Sequence, residues 1–407
     1  MEERTQVEPG RLAPLRHPDF RRLVAGTATS SLGNAIAPIA LAFAVLDLGG
    51  SATELGLVVA AYAAAEVVTS LFGGVLGDRV RRQVMMEGSS AACAITQGLV
   101  AALIIGGWAT VPLLAVVGAV NGSLGALAQP SSSAMTRATV PESLLAGAVS
   151  LRALLQTSTQ VVGYALGGVL VSAIGAGWAI GIDAATFAVA AWSFSRLQVP
   201  HTRADGPRAS MLADLGDGFR EVVSHAWLVL LIGQALLYHL FFGGAQSVLG
   251  PIVIGDEFGR SSWGFALGAL MVGFVVGGVV CLRWRPRRPL YVGTVLLALT
   301  ALFPLAMGLS PVLWPVLLGA FLHGLGLQIF DVFWQVAIQE NVPEDKLARV
   351  FSFDLVGSFI ARPVGLVLTG PIAAAVGFDT WLVVVGAVMG GSALLSTLSR
   401  DVRRLGA

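Results

Sequence analysis

The chain has 407 residues, of which 55% are hydrophobic and only 12% charged, with a net charge of +1 and a mean hydropathy of +0.79. No water-soluble globule of this length needs so much apolar sequence to fill its core, so the composition excludes one and indicates a polytopic membrane protein. The near-neutral balance excludes a nucleic-acid footprint, and Cys93 and Cys281, in or beside apolar stretches without metal-ligand spacing, read as small buried residues.

Residues 1–21 form a polar lead carrying Arg4, Arg11 and Arg16. The first apolar run begins only after Arg21-Arg22 and is long enough to span, so it reads as a retained helix and not a cleaved signal. Apolar runs lie near 23–48, 53–77, 84–106, 110–136, 146–174, 177–197, 227–254, 262–282, 290–309, 311–338, 347–375 and 378–398. At about 1.5 Å per helical residue, each can cross roughly 30 Å of hydrocarbon. Fifty glycines suit such a protein, because small residues let helices approach closely in lipid. All but three of the 25 lysines and arginines fall in the N-terminal lead, the even-numbered connections or the C-terminal tail; Arg152 and Arg362 lie inside spans and Arg260 on the other side. That asymmetry predicts a multi-pass protein of the cell's inner (plasma) membrane with both termini cytoplasmic.

The longest connection holds Pro200, Gly206 and Pro207, then residues 211–223, where Asp214, Asp217, Arg220 and Glu221 interrupt apolar positions. It reads as a linker plus an amphipathic helix along the cytoplasmic face. The expected organisation is a segment 1–21, a six-helix bundle 22–197, the linker 198–226, a second bundle 227–399 and a tail 400–407.

The two halves are copies. At an offset of 202 residues, Gly122 matches Gly324, Val140-Pro141-Glu142 matches Val342-Pro343-Glu344, and Gly163, Gly168 and Gly175 match Gly365, Gly370 and Gly377. Six spans and a linker, repeated in the same orientation, is the plan of a secondary transporter whose halves rock about a central site. The expected fold is therefore an all-α membrane protein of twelve transmembrane helices in two pseudo-symmetric six-helix bundles.

Between spans two and three, Gly74-Val75-Leu76-Gly77-Asp78-Arg79-Val80-Arg81-Arg82 resembles the loop signature of the major facilitator superfamily, with Arg81 where that family has a glycine. In span five, Gly163-Tyr164-Ala165-Leu166-Gly167-Gly168 is similar to its antiporter signature, with Tyr164 in place of a proline. The opening Leu15-Arg16-His17-Pro18-Asp19-Phe20-Arg21-Arg22-Leu23 and Ser31-Leu32-Gly33-Asn34 resembles the branch holding the enterobactin exporter and macrolide-type efflux proteins. The resemblance implies a cytoplasmic gate at Gly74, Asp78, Arg79 and Arg82. Asp78 would accept from the N-terminal N–H groups of span eleven near Leu347, and Arg79 and Arg82 would pair with acids such as Glu142 or with anionic lipid headgroups. It also implies an antiporter-like motif at Gly163, Gly167 and Gly168, and a monomer.

An ionisable side chain at membrane depth must face protein or water, so each is a candidate for function. Glu66 lies twelve residues before Asp78, on a polar face with Tyr62, Thr69, Ser70 and Gly73. It reads either as a protonatable carboxyl that exchanges a proton for substrate or as a hydrogen-bonded structural acid; Asp331 and Asp354 are the further proton-coupling candidates. Arg152, Gln156 and Gln160 recur every four residues along span five, and their repeat counterparts are Asp354, Ser358 and Arg362 on span eleven. By the resemblance both stripes lie where the halves meet; they read as interdomain polar contacts or as packing groups satisfied within one half. The resemblance also places the first, fourth, seventh and tenth spans around the cavity. They carry Asn34, Asn121, Gln129, Gln234, Tyr238, His239, His323, Gln328, Trp334 and Gln335, a lining suited to a bulky, partly polar organic substrate. Asp183, in Asp183-Ala184-Ala185-Thr186-Phe187, reads as structural.

No phosphate-cradling glycine loop followed by Lys-Ser or Lys-Thr is present, and nothing argues for an enzyme or a cofactor. The expected activity is proton-coupled export of small organic molecules such as drugs, siderophores or secondary metabolites. The alternatives are an uptake symporter for a nutrient and a membrane sensor or lipid-translocating factor. Expected partners are the substrate, protons and membrane lipids, with no nucleic acid.

Overall fold

A computed structural model describes residues 12–77, 80–199 and 211–405. Among them, twelve helices or helix pairs are long and apolar enough to cross a membrane. The first bundle comprises α1 (Pro18–Asp47), α2 (Ala52–Gly77), α3 (Arg82–Ile105), α4 (Val111–Thr139), α5 (Leu145–Ile174) and α6 (Ala176–Ser195). After the linker helix α7 (Met211–Ser224), span seven is α8 (Ala226–Gly244) with α9 (Gly250–Phe258), span eight is α10 (Arg260–Arg283), and span nine is α11 (Pro289–Leu297) with α12 (Leu302–Leu309). Span ten is α13 (Leu313–Asn341), span eleven is α14 (Glu344–Phe359) with α15 (Arg362–Val376), span twelve is α16 (Phe378–Ser396), and a short α17 (Arg400–Arg404) follows. The face where α1 begins and α16 ends is termed the terminal face, and its opposite the far face.

Local chemistry sets the helix ends. At the start of α2, the Ser51 N–H donates to Glu54 Oε2 at 2.8 Å and the Glu54 N–H to Ser51 Oγ at 3.3 Å, a reciprocal capping box. The turns from α5 to α6 and from α15 to α16 each pivot on one glycine, Gly175 at φ +84° and Gly377 at φ +95°, a region open to glycine and strained for other residues. These two glycines are repeat partners. The three interrupted spans each owe the break to proline, which lacks an N–H and whose ring crowds the preceding turn. Span seven widens into a π-turn at Ala245–Leu249 ahead of Pro251, span nine tightens into a 3₁₀ turn at Ala298–Ala301 ahead of Pro304, and span eleven breaks between Phe359 and Arg362 ahead of Pro363.

The outward faces are apolar, as lipid requires. Ile95 is 73% exposed, and Trp108, Trp178 and Trp314 at the far ends of their helices, with Trp192 toward the terminal face, are exposed aromatic residues at the depth where an interfacial belt forms. Within the first bundle α1 packs on α5 and α6, α2 on α4, and α3 on α6; within the second α10 packs on α13 and α15 on α8.

The repeated glycines are points of close approach, and the pairs make matching contacts in both halves. Gly122 of α4 lies against the Tyr62 carbonyl of α2, as Gly324 of α13 lies against Leu270 of α10. Gly163 of α5 lies against Leu32 and Ala35 of α1, as Gly365 of α15 lies against Leu240 of α8. Gly168 meets Ser261 and Gly264 of α10, as Gly370 meets Ala52 and Thr53 at the start of α2. This last pair joins the bundles, so spans five and eight form one seam and spans two and eleven the other.

Candidate functional site

Both seams lie toward the far face. Gly56 is set against the Leu366 carbonyl, and a Cβ on Gly168 would stand 2.8 Å from the Ser261 carbonyl oxygen and 2.9 Å from the Gly264 Cα. Outside them Asp47 and Arg260 form a bidentate ion pair between the bundles, and the Arg260 guanidinium lies over the Phe43 ring, 5.1 Å from its centroid. Toward the terminal face α14 packs on α7 and α8 of its own bundle, while its continuation α15 packs on α2. Among the described residues the extensive contacts between the halves are thus those of the far-face seams.

Between the halves lies a cavity of about 460 Å³. Its lining runs from Val59, Leu114 and Trp263 near the seams to Met86, Ser132 and Phe194, close to the terminal ends of α3, α4 and α6. Asn34, Glu66, Asn121, Gln156, Gln160 and Arg362 all face it. A second pocket of about 260 Å³ adjoins it in the other bundle, lined by Tyr238, His239, His323, Phe359 and Arg362, with Tyr164 and Gln246 shared by both. Gln246 sits in the π-turn of span seven, where the regular hydrogen-bond ladder is interrupted.

Hydrogen bonds assign several groups. Asn121 accepts from Thr96 Oγ1 at 2.6 Å and donates to Gln97 Oε1 at 3.1 Å, and Gln97 donates to Asp183 Oδ2 at 2.7 Å. A polar chain thus connects the cavity wall to a fully buried acid. Gly33 admits Asp183 because a side chain there would overlap the carboxyl and Thr186.

His323, fully buried, donates from Nδ1 to the Thr300 carbonyl at 2.9 Å and accepts from Tyr238 Oη at 2.7 Å on Nε2. Thr300 is four residues before Pro304, so its carbonyl is the one the helix leaves without an N–H. His323 supplies the missing donor, a structural duty, and lines the second pocket among the rings of Tyr238, Phe242 and Phe303. His239 donates from Nδ1 to the Ala235 carbonyl at 2.9 Å and packs on Phe359 with centroids 4.2 Å apart.

The two stripes do not meet. Arg152, buried, donates to the Ser132 carbonyl and Ser132 Oγ, both at 2.6 Å, and to Thr136 Oγ1 at 2.5 Å, all within its own bundle. Asp354 accepts from Trp334 Nε1 at 3.0 Å and Ser358 Oγ at 3.3 Å in the other bundle. Of the two readings of Arg152 and Asp354, this arrangement is satisfaction within one half; Gln156, Gln160 and Arg362 face the cavity instead.

Several expected lining residues lie elsewhere. Trp334 is buried against Trp227 and Phe330, because its indole N–H needs the Asp354 carboxylate. Gln335 is exposed and donates to Asp331 at 2.8 Å. Gln328 packs beside Gly277 on α10, and Gln234 is buried with its Nε2 unpartnered among the described residues. None of these four, nor Asp331 or Asp354, lines either cavity. Tyr164 and Phe359, unforeseen in the lining, had their signal in the departure from the proline of the antiporter-like motif and in the helix break before Pro363.

Of the loop signature, Asp78 and Arg79 lie outside the described residues, as do the side chains of Gln129 and of residues 71–77, Gly74 included. Arg82 is exposed at the start of α3. Arg81 takes φ −58° and ψ 129°, a conformation open to every residue, so the missing glycine brings no backbone strain. Glu142 pairs with Arg137 at 3.8 Å in solvent, and not with Arg82. In the antiporter-like motif Gly163 and Gly167 fit against α1 while Gly168 fits against α10. The motif is a three-helix junction, and with Tyr164 in place of proline α5 runs unbroken from Leu145 to Ile174.

Comparison with known proteins agrees with this architecture. The family model for the Major Facilitator Superfamily matches residues 23–303. The multidrug efflux pump Tap of Mycolicibacterium fortuitum is 26% identical over 86% of this chain and 88% of its own. Macrolide efflux protein A of Streptococcus pyogenes is 23% identical over 95% of this chain and 97% of its own. Among solved structures, the nucleoside transporter NupG superposes with a TM-score of 0.74 at 12% identity, covering 93% of this chain and 97% of that one. A bacterial homologue of the human lysosomal transporter Spinster, solved inward-facing and unoccupied, gives 0.69 at 16% identity, covering 95% and 97%.

Proposed function

Since the chain belongs to the major facilitator superfamily of transporters, we propose that it exports small organic molecules in exchange for protons, its two bundles rocking about the central cavity. The observation that carries this reading is the cavity itself, sealed toward the far face and reaching the terminal face, with the carboxyl of Glu66 in its wall. With both termini cytoplasmic, as the distribution of arginine suggests, the sealed end is outside and the arrangement is open to the cytoplasm, the state in which an exporter loads.

Glu66 is the proton-coupling group in this proposal, because it is the acid among the described residues that faces the cavity. Substrate and proton alternate there: a substrate entering from the cytoplasm displaces the proton, and the carboxylate is reprotonated after release on the other side. The relatives named as multidrug and macrolide efflux pumps support export, and the amide and aromatic lining suits a partly polar organic cargo. Arg82, with Asp78 and Arg79, is proposed to hold the terminal face when it closes.

The test is uptake of a fluorescent drug into everted membrane vesicles energised by an acid interior. Accumulation that collapses with the pH gradient and is absent in Glu66→Gln is expected. Accumulation that survives an uncoupler, or an unaltered Glu66→Gln variant, would remove proton coupling through Glu66; substrate-dependent flux in the opposite sense would make the protein an importer.

A further inference from the structure

Arg362 is a cation inside the membrane-spanning part of the protein that makes no hydrogen bond or ion pair with any described residue. Other arginines buried or half-buried within spans have company: Arg22 is held by Asp19 and the Arg196 carbonyl, Arg152 by three oxygens, and Arg260 by Asp47 and the Phe43 ring. The two described arginines that lie over aromatic rings are Arg196 and Arg260. The Arg362 guanidinium instead borders both cavities, at their junction. A cation at this depth without a counter-charge costs several kcal/mol unless water or a ligand reaches it.

The obvious internal partner is Glu66, on the facing span. The seam sets the distance between them. Gly56 meets Leu366; Arg362 is four residues below that point, roughly 6 Å along its helix, while Glu66 is ten residues below it, roughly 15 Å. The two charges face the same cavity without a direct bond. They are the only acid and arginine in the described lining, and on its other side Arg362 borders the second pocket, walled by Tyr164, Tyr238, His239 and Phe359. Arg362 is also the first residue of α15, whose N-terminus has no side-chain cap and adds the positive end of its dipole.

We infer that Arg362 is the carboxylate receptor of the cavity, and that the cargo includes amphipathic zwitterions, whose cationic group can displace the proton of Glu66 and whose carboxylate docks on the Arg362 guanidinium while an aromatic or apolar body lies among Tyr164, Tyr238 and Phe359. Guanidinium and carboxylate match in planarity and can bond through two N–H groups. The inference rests on the cavity being the substrate site and narrows the substrate class beyond drugs in general. It also explains an arrangement that a site built for simple cations would avoid, since an unneutralised arginine repels them.

The test uses the purified full-length protein in nanodiscs and one dye in two forms, a rhodamine with a free carboxylate and the same rhodamine as its methyl ester. A charge-assisted bond left unmade in a partly dry site is worth about tenfold or more in affinity. The wild type is therefore expected to bind the acid about tenfold more tightly than the ester. Arg362→Gln is expected to erase that preference and Arg362→Lys to keep part of it. Equal or tighter binding of the ester by the wild type would overturn the inference, as would an Arg362→Gln variant that loses both forms equally. Vesicle flux separates this from the exporter reading. Proton-driven efflux of the ester without any preference for the acid sinks the anion site and leaves export standing; a carboxylate preference without proton-driven flux does the reverse.

Discussion

At the far face the bundles meet main chain to main chain, with Gly168 against Gly264 and Gly370 against Thr53. At the terminal face the same spans five and eleven turn their charged groups into their own bundles, Arg152 toward Ser132 and Asp354 toward Trp334. The two ends are therefore built to separate at different cost. Apposed glycines hold by close packing and release without stranding a charge. Arg152, through its two terminal nitrogens, and Asp354 take their partners from their own bundles, although the Arg152 Nε has none among the described residues, so opening the terminal face removes no partner from either. A rocking interface needs both properties, an end that closes on shape and an end whose charges do not depend on closure.

The largest expected effect comes from removing the internal partner of the terminal end. Arg152→Met leaves the Ser132 carbonyl and the Ser132 and Thr136 hydroxyls without their charged donor, and should lower stability by about 2–4 kcal/mol, read as a fall in thermal midpoint in detergent. Arg152→Asp combined with Asp354→Arg should be no better than the sum of the single variants, since the two residues have separate partners. Rescue by the double variant would mean that they pair directly and that the comparison drawn here is wrong.

Next is the far end itself. Gly168→Val has to push against the Ser261 carbonyl and the Gly264 backbone, atoms that cannot rotate away, and such overpacking disfavours the sealed arrangement by about 1–3 kcal/mol. Spin-label distances across the two faces should shift by a factor of about 5 or more in population toward far-face opening, with little change in folding yield. An unchanged distribution would show that the seam is not what holds this state.

A third, smaller effect separates charge from hydrogen bonding at Asp354. Asp354→Asn retains an acceptor for the Trp334 N–H and should cost under about 1 kcal/mol, whereas Asp354→Leu orphans that N–H and should cost about 1–3 kcal/mol. Tryptophan fluorescence of Trp334 and the unfolding midpoint together report it.

These residues also mark where sequence reading succeeds and where it stops. The twelve spans were legible because crossing hydrocarbon imposes a length and an apolar composition on each. The glycine pairs at an offset of 202 residues were legible because a close approach admits no other side chain, so both halves had to keep it. Partners were not legible. The hydroxyls that hold Arg152 lie on another helix, and any serine in α4 reads alike until packing chooses one. The duty of His323 did have a signal, Pro304 leaving the Thr300 carbonyl unpaired, but only the fold shows that His323 is the donor that reaches it. The cavity wall was read from four spans, yet Tyr164, Gln156 and Gln160 of span five and Arg362 of span eleven also line it. A polar stripe at a bundle interface can face a partner helix or water, and periodicity alone does not distinguish them.

The smallest effect belongs to the ion pair outside the seam. Asp47 and Arg260 bond through two N–H groups, but their side chains are 42% and 37% exposed, so water and salt screen the attraction and its worth is about 0.2–1 kcal/mol. Arg260→Gln should accordingly move the far-face population by a factor of roughly 1.5–5, well below the effect of Gly168→Val. The effect of Arg260→Gln should shrink further in molar salt, while that of Gly168→Val, which is steric, should not. Part of the Arg260→Gln effect comes from the Phe43 ring beneath the guanidinium, and Asp47→Asn isolates the rest because it keeps that stacking. If Asp47→Asn opened the far face as widely as Gly168→Val and did so independently of salt, the ion pair and not the glycine seam would be the latch, and the contrast between a packed end and a charged end would have to be reversed.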